Sequence, residues 1–269
     1  MKQTQEDWNR RCVDFSKVHG NEEEAFAYLV NALQLENGMV VGDLMCGYGE
    51  VSRKILEYCA KRHIAIRNYL LDAFQTQIDR TMQHLAEYES QGACIQRVVT
   101  NMSYFSLESQ LDRAIIKMGL HEVQKDEQER ILRRVYLSLK EGGEAYIWES
   151  MGQNPHLTSV FREVVRKKDA LAGYTNLVEN RYFPHESEIY RYLSKVGFKN
   201  IETIYEGEFR YETVRMLEGD FKGNIFKLEA WNVYLRENLS DEAKKTIRFT
   251  DSGDSMSMSF VKKIIRARK

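Results

Sequence analysis

Val40-Val41-Gly42-Asp43-Leu44-Met45-Cys46-Gly47-Tyr48-Gly49 is the stretch whose reading decides the fold of this chain. A short apolar run ends at Asp43, two glycines follow, and then Val51, Ile55, Leu56 and Cys59 fall on one face of a helical pattern. A buried strand, a glycine turn and a helix in that order bring bare backbone close to a ligand at the helix N-terminus. That geometry suits a nucleotide-like cofactor, and two common kinds fail on residues. A phosphate-binding loop needs Gly-x-x-x-x-Gly-Lys-Ser/Thr. Gly42 and Gly47 have the spacing, but Tyr48 and Gly49 stand where the lysine and hydroxyl belong. The dinucleotide fingerprint needs Gly-x-Gly-x-x-Gly, and here Ser52 occupies the third glycine's place. Glu50 would also set a carboxylate beside a pyrophosphate, whereas a zwitterionic or cationic ligand without phosphate tolerates it.

S-adenosylmethionine is such a ligand. The segment Asp43-Leu44-Met45-Cys46-Gly47-Tyr48-Gly49 resembles the first motif of class I S-adenosylmethionine-dependent methyltransferases, Asp-x-Gly-x-Gly-x-Gly, with Met45 replacing the first glycine. The resemblance implies an α/β fold: a doubly wound, seven-stranded, mostly parallel Rossmann-like sheet with a helical cap or lid. It also implies that Asp43, Met45, Gly47 and Gly49 form the cofactor loop. Asp72, followed by Ala73, ends the apolar run 68–71 and falls where the family holds the ribose hydroxyls. On its residues alone it can equally cap the helix bearing Ile78, Met82 and Leu85. Asn101 and Met102 follow Val98-Val99-Thr100 at the adenine position, with a loop Asn serving local backbone as the other reading.

A fourth strand over 112–118 resembles the family's fourth motif, so Lys117 and Met118 at its end face the cofactor. His121, just beyond, is the general-base candidate, because an unperturbed imidazole titrates near pH ~6.5. In some family members a histidine here packs under the cofactor, and that alternative stands. Glu122 reads as a solvated helix-start carboxylate. Glu149, ending a fifth strand over 144–148, reads as a substrate contact.

Composition narrows the class. The chain has 269 residues, 43% hydrophobic and 11% aromatic, enough for a substantial core and too apolar for disorder. A net charge of −1 offers no global attraction to nucleic acid. The basic end, Lys262-Lys263 through Arg266, Arg268 and Lys269, reads as the exposed side of a last strand plus tail. No apolar run approaches the ~20 residues needed to span a bilayer, and no signal peptide precedes the first helical pattern, so a cytoplasmic location is expected. Cys12, Cys46, Cys59 and Cys94 and the six histidines show no metal-ligand spacing, so no metal is expected.

Residues 1–37 form an expected N-terminal helical cap, with Asn21-Glu22-Glu23-Glu24 as a capping box and Trp8, Phe15, Phe26 and Tyr28 packing on the sheet edge or closing the site. The methyltransferase domain spans 38–269. A helix with Ile131, Leu132, Val135 and Leu139 stops at Gly142-Gly143. Two stretches exceed the minimal core, at about 152–185 and 206–255, and are expected to form a substrate lid or a homodimer surface. The first carries Arg166-Lys167-Lys168, read as a solvated helix face. The second offers Phe209, Tyr211, Phe221 and Trp231 as wall residues or as the insertion's own core, with Tyr211 and Trp231 the substrate-binding candidates. Lys117-Met118-Gly119-Leu120 stands where amide and nucleobase amino methylases carry Asn/Asp-Pro-Pro-Tyr. The expected activity is therefore methyl transfer from S-adenosylmethionine to a small organic acceptor, a natural-product intermediate being one candidate, leaving S-adenosylhomocysteine. An RNA or protein methyltransferase, or a non-catalytic cofactor-binding protein, are the alternatives.

Overall fold

The computed structural model describes residues 22–269. Strands β1 (Val40–Leu44), β2 (Arg67–Asp72), β3 (Cys94–Val99), β4 (Leu111–Lys117), β5 (Leu139–Met151), β6 (Lys199–Glu212), β7 (Thr250–Asp251) and β8 (Met256–Arg268) form one sheet. Its order is β3-β2-β1-β4-β5-β8-β6, with the two-residue β7 pairing β8. The path from β3 to β5 is parallel, and β8 runs antiparallel to both β5 and β6. The chain winds outward from β1 to β3, then restarts at β4 on the other side. The crevice beyond the carboxyl ends of β1 and β4 is thus the topological switch point, where open α/β sheets bind ligands.

Helices cover both faces because adjacent strand residues point to opposite sides. Ile116, Ile147 and Ile265 pack under Ile131, Leu132 and Val135 of α4 (Lys125–Ser138) and Ile189 and Leu193 of α7 (Glu186–Val196). Their neighbours Ile115, Trp148 and Ile264 pack under Phe26 and Leu29 of α1 (Glu23–Ala32), its C-cap Leu33, and Val51 and Ile55 of α2 (Glu50–Arg62). On that same flank of the cofactor crevice, α3 (Gln75–Ser90) buries Ile78 and Leu85 against Leu70. A further apolar body sits beyond the sheet. The β6–β8 hairpin continues past β5, with Phe209 opposite Phe260 and Tyr211 opposite Met258. Around it pack α5 (Pro155–Ala172), α8 (Met216–Gly219), α9 (Ile225–Asn238) and α10 (Asp241–Thr246), while α6 (Thr175–Asn180) lies against α5.

Several expectations need correction. Within the described residues, the N-terminal element is a covering layer of the sheet, since Phe26 packs edge-on against Trp148 at 4.9 Å. Trp8, Phe15 and Asn21 lie outside the described residues. The expected capping box includes Asn21 and so lies partly outside the described residues; the N-cap is Glu22, without a side-chain capping bond, and its carboxylate pairs with Lys117 and Lys262. The fourth helix ends at Ser138, and Gly142-Gly143 lie inside β5, near its register shift against β4. The basic C-terminal end is ion-paired rather than solvated: Lys262 is buried on Glu22, Lys263 meets Glu186 and Glu206, and Arg266 meets Glu202. The late insertion begins only after Glu212, because β6 extends through it. No helix among the described residues is long and apolar enough to cross a membrane.

Candidate active site

The turn between β1 and α2 is held from three sides. Asp43 Oδ2 accepts from the Ser52 backbone N–H at 3.1 Å and from Ser52 Oγ at 2.7 Å, closing the loop from inside. Burial pushes the Asp43 carboxyl up to about 7 against those bonds. Thr81 of α3 donates to the Gly47 carbonyl at 2.7 Å. Gly49 stands at φ +74, where an added Cβ would lie 2.3 Å from Thr81 Cγ2, so only glycine permits this contact. Asp72 completes the frame: its two oxygens accept from the Gly47 N–H and the Phe74 N–H, each at 3.0 Å. Burial raises its pKa while those backbone donors oppose the shift. The N-cap of α3 is Phe74, so Asp72 does not cap that helix.

Met45, the departure from the family's glycine pattern, takes the left-handed conformation (φ 61°) that the glycine would have taken freely. Space for its side chain comes from Gly119, where a Cβ would fall 2.8 Å from Met45 Cβ. The glycine missing from one loop is present in the loop facing it.

These residues open on a cavity of about 500 Å³, lined on the cofactor side by Asp43, Met45, Gly47, Asp72, Ala73 and Met102 among others. Gly47 faces the open space, for a Cβ there would meet no protein atom within 4 Å. That bare cradle and the neighbouring carboxylate fit a ligand with a ribose and no phosphate. Asn101 lines the same wall, with its Oδ1 accepting from the Ser103 N–H at 2.8 Å. Lys117 reaches the cavity already paired with Glu22 (2.8 Å) and Glu50 (3.0 Å); burial opposes its charge, but the two acids outweigh that and raise its pKa.

At the end of β4, Leu120–Glu122 makes one 3₁₀ turn. His121 is buried there, with Nδ1 2.6 Å from Glu149 Oε2 and Nε2 3.0 Å from Glu122 Oε1. Burial alone would lower its pKa, but Glu149 and Glu122 overcome this and hold it at about 9. A ring protonated at neutral pH offers no lone pair, so this geometry does not supply the general base expected at His121. Glu149 is fully buried and lies off the cavity lining, which corrects its reading as a substrate contact. Glu122 is likewise no solvated carboxylate, being paired with both His121 and Arg181.

The far side of the cavity is built by the two inserted stretches. Phe161, Val165 and Lys168 of α5, then Arg181 and Phe183, face Phe209, Tyr211, Met216 and Asp220. Tyr211 thus lines the cavity as expected. Trp231 does not: it is fully buried behind that wall, donates Nε1–H to the Val164 carbonyl, and packs edge-on against Tyr211 at 5.9 Å. Lys168, expected in solvent, is buried between Asp169 and Asp220. Its inward orientation was readable, since Phe161, Val165 and Lys168 recur at helical spacing on one face. Arg181 and Asp220 carried no comparable local signal.

Residues 41–143 match a family model described as a methyltransferase domain. That segment is thus similar to a methyltransferase domain, and the sheet order and loop above agree with the class I S-adenosylmethionine-dependent methyltransferase fold. Among solved structures, it is similar to the YcgJ protein of Bacillus subtilis, with TM-score 0.73 and 14% identity, covering 91% of this chain and 98% of that one. A putative methyltransferase of Bacillus halodurans gives TM-score 0.71 at 14% identity, covering 91% and 99%. A phosphoethanolamine N-methyltransferase 2 of Haemonchus contortus, in complex with phosphomonomethylethanolamine and S-adenosylhomocysteine, gives TM-score 0.56 at 16% identity, covering 93% and 53%. At such identities these likenesses speak for the fold alone. No curated protein matches the chain.

Proposed function

We propose that the protein transfers the methyl group of S-adenosylmethionine to a small organic acceptor held between the two inserted stretches, releasing S-adenosylhomocysteine. The observation that carries this reading is the continuity of the cavity. It runs from the Gly47 cradle, past Met118 and His121, into a compartment walled by Phe161, Phe183, Phe209 and Tyr211. A protein that only stored the cofactor would need no such second compartment. Aromatic walls with a few charged groups suit a small, partly apolar molecule.

The cofactor supplies a sulfonium leaving group, so the protein's task is positioning and exclusion of water. Asp72 would hold the ribose, Asn101 and Met102 would border the adenine, and the turn after Met118 would present the methyl toward the aromatic compartment. His121 acts here as a fixed, charged element of the wall and takes no proton from the acceptor. The described residues contain no group of three or more metal-ligating side chains, and the displacement proposed needs none.

The test is incubation with methyl-labelled S-adenosylmethionine and pools of small amines, phenols, thiols and carboxylic acids, with labelled products read by mass spectrometry. Label in a small product, reduced at least tenfold in Tyr211→Ala, supports the reading. Label appearing only in RNA or protein added to the same mixture overturns it.

A further inference from the structure

We propose that Glu149 is the positioning residue of the acceptor compartment: by gripping the His121 ring it fastens the segment 181–183 across the end of β4. This rests on the methyltransferase reading above for what the compartment holds, but its geometry stands independently.

A carboxylate with no solvent exposure is tolerated only where it is fully hydrogen-bonded. Glu149 meets that requirement with one small motif. Oε1 accepts from the Leu120 N–H at 2.7 Å and from the His121 N–H at 3.3 Å, and Oε2 faces His121 Nδ1 at 2.6 Å. The first two are the orphan donors at the start of the 3₁₀ turn. The third fixes the ring. With Nδ1 on Glu149 and Nε2 on Glu122, both ring nitrogens must donate, which only the imidazolium can do.

The ring so fixed is the platform for the next layer. Phe183 stacks on it at 4.2 Å with planes 13° apart. The His121 carbonyl accepts from the Tyr182 N–H at 2.9 Å. Arg181 grips Glu122 through Nε at 3.1 Å and Nη2 at 2.5 Å. Gln128 bridges the Leu120 and Tyr182 carbonyls at 3.0 and 2.6 Å. Three consecutive residues of the inserted stretch therefore dock on one turn, and two of them, Arg181 and Phe183, line the cavity. The charged groups acting on the ring are Glu149 from β5 and Glu122 from the turn, with Arg181 bearing on it through Glu122. A neutral ring would turn a lone pair toward one of the two carboxylates, and the stacked platform would have to move.

The test uses the full chain and Glu149→Gln, which keeps an acceptor for the Leu120 N–H but removes the charge and turns an amide NH2 toward Nδ1 in place of the Oε2 acceptor. Two readouts are followed by NMR: the His121 ring titration and hydrogen-exchange protection of the Tyr182 amide. In E149Q the ring midpoint should fall by at least about one pH unit. Tyr182 protection should then drop about tenfold near pH ~8 and recover near pH ~6, where the ring is recharged. A purely structural lesion would lose protection at both pH values, and either that result or unchanged protection at both overturns the proposal. The wild type gives a second reading that needs no variant: Tyr182 protection should decline across the ring's own titration, and protection that stays flat while the ring titrates overturns it. Calorimetry of wild-type protein with S-adenosylhomocysteine runs alongside. Its failure would sink the functional reading and leave the positioning result intact.

Discussion

The two halves of the cavity are made by different means. The cofactor half is backbone work: a glycine turn, left-handed residues, and two carboxylates whose hydrogen bonds go mostly to backbone N–H groups in and around the loop. The acceptor half is side-chain work, with aromatics and buried ion pairs drawn from α5, the 181–183 segment, the β6–β8 hairpin and α8. Backbone motifs tolerate few alternatives and so leave a local signature. Side-chain walls can be built in many ways and change with the ligand. On the proposed function, one half would set the cofactor and the other would set the acceptor.

The largest expected effect tests whether the halves are separable in stability. Trp231→Ala removes a fully buried indole from the apolar body behind the acceptor wall and should cost about 3–5 kcal/mol in urea unfolding. Affinity for S-adenosylhomocysteine should stay within about threefold, because the indole touches nothing in the cofactor loop. An equal collapse of cofactor binding would show that the two bodies fold as one.

Next comes the joint between them. The His121 pKa rises from 6.5 to about 9, which corresponds to about 3 kcal/mol of stabilisation by the charged ring. Because the folded value lies above the unfolded one, this contribution is complete below about pH 6.5 and lost as pH climbs through 9. Unfolding free energy measured from neutral to alkaline pH should fall by about 3 kcal/mol more across that window in wild type than in His121→Gln, in which the depressed Lys262 pKa still contributes its own rise. A wild-type curve no steeper than the variant's would contradict the charged joint.

Within the cofactor half, Asp72→Ala should weaken S-adenosylhomocysteine binding by about 1–3 kcal/mol, the range for leaving hydrogen-bonding partners unpaired. An unchanged dissociation constant would reduce Asp72 to a brace between Gly47 and Phe74. Smaller still is the exchange between facing loops. Gly119→Ala should cost about 1–2 kcal/mol through its clash with Met45, and Met45→Gly in the same chain should relieve it. Simple additivity of the two changes would mean that the loops do not share the space.

The sequence was most readable where chemistry is dictated locally. Asp43, Gly47, Gly49 and Asp72 sit at or just beyond strand ends in a fixed order, so the parallel sheet and the placing of these residues around the switch-point crevice were legible, even with Met45 out of pattern. The roles of His121, Glu122 and Glu149 were not, because each depends on the other two and they come from different elements. A histidine at a strand end suggests a base until a second carboxylate is seen to face it. Lys168 shows part of the same limit: its spacing from Phe161 and Val165 marks the inward face, but the partners Asp169 and Asp220 that let a charged residue sit there come from packing. Trp231 and Tyr211 shared one aromatic signal, and only packing decided which reached the cavity.

The central claim is that the turn at Gly47 and Gly49, with Asp72 beside it, holds S-adenosylmethionine. Isothermal titration of the purified protein with S-adenosylhomocysteine tests it most directly. The account predicts saturable one-to-one binding to wild type, weakened in Asp72→Ala, and no binding of NADH or ATP. No heat with S-adenosylhomocysteine alongside clear binding of NADH would contradict it.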